Sequence, residues 1–176
     1  MFDKNVNIIK SEVKYGKTTF LEMFSKSLME SGYKVCYIGT SRDKHINYKD
    51  SFNFHRIITS VFDEDYKIIS LISEIIVRDK YDYLFIDDIE YFYSYKYYSK
   101  LEIDKLIENI DNIPVKKIIT CDIGDFPSLP TYSITSNKFF NNSEEHIFEN
   151  YLIDGIEPTQ IIKSYIRDIK IENILK

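Results

Sequence analysis

The chain contains no tryptophan and no alanine, and only two cysteines, three histidines, five glycines and four prolines among its 176 residues. Each scarcity excludes something. Cys36 and Cys121 cannot build a zinc site alone, and His45, His55 and His146 are scattered rather than spaced as ligand pairs. Both cysteines fall in apolar, strand-like runs, which marks them as reduced core thiols rather than a disulfide. No apolar run approaches the roughly 18 residues of a membrane-spanning helix. The first residues, MFDKNVNIIK, lack the apolar stretch and small-residue cleavage site of a signal peptide. These absences predict a cytoplasmic protein with no membrane partner. The net charge of −5 argues against wholesale coating of nucleic acid and leaves only a local basic patch for such a partner.

What is present is an ordinary globular composition, 44% hydrophobic and 29% charged. A chain of this length can bury roughly 70% of its unfolded surface. With no internal repeat and no low-complexity linker, residues 1–176 are expected to form one domain. Isoleucine, lysine, asparagine, aspartate and tyrosine are abundant, and these residues favour AT-rich codons. That bias points to an AT-rich genome, as in some phages, large viruses or low-GC bacteria.

Short apolar runs alternate with longer amphipathic stretches, the pattern of a three-layer α/β fold around a mostly parallel sheet of about five strands. Val6 to Ile9 reads as the first strand. A helix from about Lys17 to Ser31 follows, with Phe20, Met23, Phe24 and Leu28 at helical spacing and Ser31-Gly32 at its end. Lys34 to Ile38 is a second strand, and Phe54 to Val61 a strand or a turn of helix. Asp65 to Arg78 repeats Ile68, Leu71, Ile72 and Ile75 and predicts a helix. Tyr83 to Ile86 is a buried strand, followed by a helix from about Ser99 to Ile110 and a strand from Lys117 to Cys121. Tyr132 to Thr135 is the candidate fifth strand. Pro158 near a helix start, with Ile161, Ile162, Tyr165, Ile166 and Ile169, marks an amphipathic helix at about 158–175.

The segment Ser11-Glu12-Val13-Lys14-Tyr15-Gly16-Lys17-Thr18-Thr19 lies between the first strand and the first helix, where a Walker A loop belongs. Backbone amides at a helix N-terminus point at anionic oxygens, and the helix dipole adds favourable partial charge. Gly16 lets the backbone approach closely. Lys17 reaches the β- and γ-phosphates, and the Thr18 hydroxyl suits Mg²⁺. The pattern G-x-x-x-x-G-K-[ST] has Ser11 in place of its first glycine. A left-handed backbone there would carry strain.

Tyr83-Leu84-Phe85-Ile86-Asp87-Asp88 is an apolar strand ending in two acids, the form of a Walker B element. Ligands in open α/β sheets bind outside the carboxyl ends of the strands. Asp87 is the expected partner of Thr18 in holding Mg²⁺. Asp88, or alternatively Glu90, would polarise the attacking water as general base. Lys117-Ile118-Ile119-Thr120-Cys121-Asp122 also ends in polar groups, which makes Thr120 or Asp122 a candidate γ-phosphate sensor.

Together these residues resemble the P-loop NTPase superfamily, in its branch with an extra strand between the Walker A and Walker B strands. The resemblance spans roughly residues 5 to 136. LFIDDIEYF followed by KKIITCDIGDFP looks like the replication-initiator and helicase-loader group of AAA+ ATPases, which would imply ATP-dependent work on DNA or on a helicase. VCYIGTSRDKH and the run from Asp88 to Phe92 also look loosely like the thymidine-kinase type of P-loop fold, although two cysteines cannot build that family's zinc lasso. The expectation is a Mg²⁺-dependent ATPase, acting as a homo-oligomer or with a protein partner. A nucleoside kinase and a nucleotide-binding regulatory subunit without turnover are the alternatives.

Three further features carry open readings. Tyr91 to Tyr98 is unusually aromatic and could pack on the sheet, form a protein interface or stack on single-stranded bases. The polar stretch from Thr40 to Asn53 reads as a solvated connection or a substrate-facing segment. Arg167 reads as a surface ion pair or as an arginine finger for a neighbouring site.

Overall fold

The computed structural model describes residues 2–12, 16–40, 54–59, 73–89, 100–122, 140 and 142–175. In chain order these form β1 (Val6–Ser11), α1 (Lys17–Glu30), β2 (Val35–Thr40), β3 (Phe54–Thr59), β4 (Tyr83–Ile86), α2 (Lys100–Asp111), β5 (Lys116–Asp122), β6 (Ser143–Glu149), β7 (Leu152–Ile153) and α3 (Pro158–Ile174). A further helical segment occupies 73–79.

The strands make one sheet in the order β3-β2-β4-β5-β1-β6-β7. The first six run parallel, and only the two-residue β7 is antiparallel to its neighbour. Every residue of β1 and of β4 is buried. Both faces of a parallel sheet are covered, so its central strands read as continuous apolar runs rather than alternating ones.

Two cores flank the sheet. On one face α1 and α3 bring Phe20, Leu21, Phe24, Leu28, Ile161, Ile162 and Tyr165 against Ile9, Tyr37, Phe85 and Ile118. On the other, Ile76 from the 73–79 helix and Ile107 and Ile110 from α2 cover Ile8, Ile38, Leu84 and Ile119. Cys36 and Cys121 are buried in this second core as free thiols, and burial pushes the Cys36 thiol up to about 12.

The ends of α1 follow from local chemistry. At its C-terminus Gly32 is left-handed, its amide donates to Met29 O and the Tyr33 amide donates to Leu28 O. This is a Schellman closure, which favours glycine at that position. Pro158 sits in the first turn of α3, where its missing N–H leaves no helical bond unmade.

The sheet is mostly parallel as expected, with seven strands where about five were expected. Phe54–Thr59 is a strand rather than a turn of helix, and β6 enters beside β1 from a segment with no strand-like apolar run. Glu144 and Glu145 are half-buried there and His146 is buried, and β7 pairs only with the last two residues of β6. The candidate strand at 132–135 and the aromatic stretch 91–98 lie outside the described residues, as do most of 40–53 and of the helix expected from 65.

Candidate functional site

Three adjacent strands end together at one edge of the sheet. β5 lies between β1 and β4, with Ser11 level with Asp122 and Ile86 level with Ile119. Period-two alternation then places Ser11, Thr120 and Asp87 on the same face as Ile9, Ile118 and Phe85, the face covered by α1. The first turn of α1 starts just beyond the end of β1. The loop lysine and the acid pair therefore meet at one end of the sheet.

Gly16 is the N-cap of α1, with φ 95° and ψ 21°, and its carbonyl accepts the Phe20 amide at 2.9 Å. A left-handed residue at this point favours glycine because a Cβ would strain the backbone. The cap position has no side-chain hydrogen bond and the first turn no acidic residue. The helix N-terminus thus carries positive dipole with no acidic side chain in its own first turn, a fit to an anionic ligand.

Lys17 is buried despite its charge, at 6% exposure. Its Nζ donates to Ser11 O at 3.3 Å and to Glu12 O at 3.4 Å, and lies 3.8 Å from Asp88 Oδ1. Thr18 is half-buried and Thr19 exposed. Ser11 is fully buried within β1, and its backbone is extended and paired to β5. It is not among the residues of positive φ, so serine in the glycine position carries no left-handed strain. Its hydroxyl donates to Glu12 O at 2.9 Å.

Asp87 is 2% exposed, and each of its carboxylate oxygens accepts a hydroxyl. Thr120 donates to Oδ1 at 2.8 Å, and Tyr37 donates to Oδ2 at 3.0 Å. The same Thr120 oxygen accepts the Asp88 backbone N–H at 2.8 Å. Asp88 has φ 48°, a left-handed backbone that aspartate tolerates better than most residues. This turn at the strand end brings its carboxylate toward Lys17.

The oxygen donors here fit Mg²⁺, which is held through one or two carboxylates together with phosphate oxygens and water rather than by an all-protein cage. No cluster of three or more His, Cys, Asp or Glu side chains suited to a metal is present among the described residues.

Of the residues expected from the sequence, Ser11, Gly16, Lys17, Asp87, Asp88 and Thr120 come together, with Thr18 in the same first turn of α1. Lys14, Tyr15 and Glu90 lie outside the described residues. Asp122 ends β5 in register with Ser11. Arg167 donates to Asp168 and Ser164 on the surface of α3. Tyr37 was not expected at the site. Its signal was faint: a hydroxyl inside the buried run KVCYI, where a tyrosine must find a hydrogen-bond partner.

No family model matches the chain, and no curated protein sequence matches it. Solved structures do. The flagellar accessory protein FlaH from Methanocaldococcus jannaschii superposes with a TM-score of 0.50 at 20% identity over 73% of this chain, which spans 64% of the FlaH chain. A KaiC-like protein from the hyperthermophilic archaeon Pyrococcus horikoshii superposes with a TM-score of 0.58 at 11% identity, covering 85% of this chain and 76% of that one. The fold is thus the mixed α/β P-loop fold expected, with a mostly parallel sheet, and these two structures share it.

Proposed function

We propose that the chain binds a nucleoside triphosphate, ATP in the first instance, at the loop between β1 and α1 and hydrolyses its γ-phosphate with Mg²⁺. The observation that carries this reading is the 3.8 Å approach of Lys17 Nζ to Asp88 Oδ1, which joins the two sequence motifs at one site. Amides around Gly16 cradle the phosphates, together with Lys14, Tyr15 and Thr19, and Lys17 offsets the charge that develops on the transferred group. Thr18 and Asp87 would hold Mg²⁺, which supplies charge neutralisation on the phosphate oxygens. Asp88 orients and deprotonates the attacking water, and Glu90 is the second candidate for that task.

The extended backbone of Ser11 supports a working loop, because the feature that most weakened the motif as a string costs no strain. The packing of α3 onto the α1 face favours a RecA-like arrangement over the separate helical lid of AAA+ proteins. Turnover would be coupled to a protein or nucleic-acid assembly, with the chain acting as an oligomer.

Phosphate release by wild type and by Lys17→Ala, with and without a nucleoside acceptor, tests the reading. Release that the substitution abolishes supports an ATPase. Magnesium-dependent binding without release in either protein would leave a regulatory nucleotide-binding module, and transfer only to the acceptor a kinase. Absence of any nucleotide affinity in the wild type would end the account.

A further inference from the structure

Asp87 lies at 2% exposure, and a carboxylate so placed needs donors to replace water. The donor on Oδ1, Thr120, comes from the adjacent strand β5. The donor on Oδ2 comes from β2 on the other side, where Tyr37 Oη approaches to 3.0 Å. With both oxygens held from opposite neighbours, the carboxylate plane is fixed, and each oxygen retains a lone pair for a further partner.

The tyrosine ring is itself enclosed by the core. It is fully buried, and it stacks on Phe85 with ring centroids 6.5 Å apart and planes 11° from parallel. The core therefore sets the hydroxyl's position independently of any ligand. Packing alone would be served by phenylalanine; the hydroxyl is what the Asp87 contact uses.

We infer that Tyr37 is a positioning residue, whose hydroxyl fixes the Asp87 carboxylate in the orientation that receives the hydrated magnesium of a bound nucleotide. This rests on the nucleotide site proposed above. It assigns to β2, which contributes nothing to either sequence motif, a part in metal affinity rather than in gripping phosphate.

The test is Tyr37→Phe, with Tyr83→Phe as control. The control removes another buried tyrosine hydroxyl, paired with Tyr165 at 3.2 Å, from the same core. Nucleotide binding is measured by calorimetry across a magnesium series and in excess EDTA. Tyr37→Phe is expected to raise the magnesium concentration for half-maximal binding about tenfold, the scale of one hydrogen bond to a charged group. Its metal-free nucleotide affinity should stay at the wild-type level, and Tyr83→Phe should match the wild type throughout.

A wild-type magnesium response in Tyr37→Phe, or an equal shift in both variants, overturns the inference. Failure of the wild type to bind nucleotide with magnesium overturns the site itself, and the inference with it. Should Tyr37→Phe not fold, the Tyr37 hydroxyl proton of the wild type decides by NMR. Slow exchange with contacts to Asp87 supports the assignment, and exchange at the solvent rate overturns it.

Discussion

Thr120 donates its hydroxyl proton to Asp87 Oδ1 and accepts the Asp88 amide, both across 2.8 Å. One oxygen on β5 therefore sets two successive residues of β4's exit. Thr120→Val keeps the shape and removes both bonds, leaving buried polar groups without that partner. A stability loss of about 1–3 kcal/mol is expected in urea denaturation, together with a fall in turnover. Thr120→Ser should recover most of both, because it restores the hydroxyl.

Gly16→Ala separates backbone strain from steric clash. An added Cβ would meet the Phe148 ring at 3.9 Å, ordinary van der Waals contact. The cost comes instead from φ 95°, about 1–2 kcal/mol for a residue with a Cβ. Thermal melting should show a drop of several degrees, and nucleotide titration a weaker affinity as the loop relaxes. An unchanged melting point would contradict the left-handed cap.

Asp88→Asn keeps the size and the tolerance of a left-handed backbone while removing the base. Phosphate release should fall by about 10²–10⁴-fold. Calorimetry should find nucleotide still bound, since the amides of α1 and the Lys17 ammonium remain, although Lys17 loses its charged neighbour at 3.8 Å. Equal loss of binding and turnover would move Asp88 from the chemistry to the phosphate grip.

Lys117 gives a pH signature far from the site. Its side chain is fully buried near the start of β5 and donates to Val115 O at 3.0 Å. Burial pushes the ammonium down from 10.5 to about 8, with Asp111 opposing the shift. Below pH 8 both folded and unfolded chains hold the proton, and the burial cost is present in full. Between pH 8 and 10.5 the unfolded chain keeps a proton that the folded chain has lost, so stability from this group rises with pH. Lys117→Met lacks that gain. Relative to wild type its stability should fall across the window, by at most about 3 kcal/mol. Cys36, raised to about 12, acts with the opposite sign above pH 9 but is common to both proteins. Denaturation at pH 7, 8.5 and 10 measures the difference, which should not stay flat.

The legible part of the site was the part confined to short stretches of chain. Gly16-Lys17-Thr18 and Asp87-Asp88 each carry their chemistry in consecutive residues, and the apolar runs of β1 and β4 fix where they stand. Their meeting followed from the rule that parallel strands open their site at one edge. Tyr37 was not legible in this way, because its role depends on β2 lying beside β4, with Tyr37 level with Phe85. β6 was missed for a related reason. Ser143–Glu149 holds acids and a histidine at positions that only pairing with β1 makes strand-like. The left-handed turn at Asp88 has only a weak compositional mark, the tolerance of aspartate for that backbone.

Phe2 stacks on Phe24 with centroids 5.7 Å apart, and Tyr165 meets the same ring edge-on at 5.1 Å. Residues from near both extremities of the chain thus form a cushion beneath the helix that begins at Gly16. Trimming either flank would unseat that helix and misalign the lysine at its tip, so a shortened version should lose ligand grip while every residue of the two motifs is still in place.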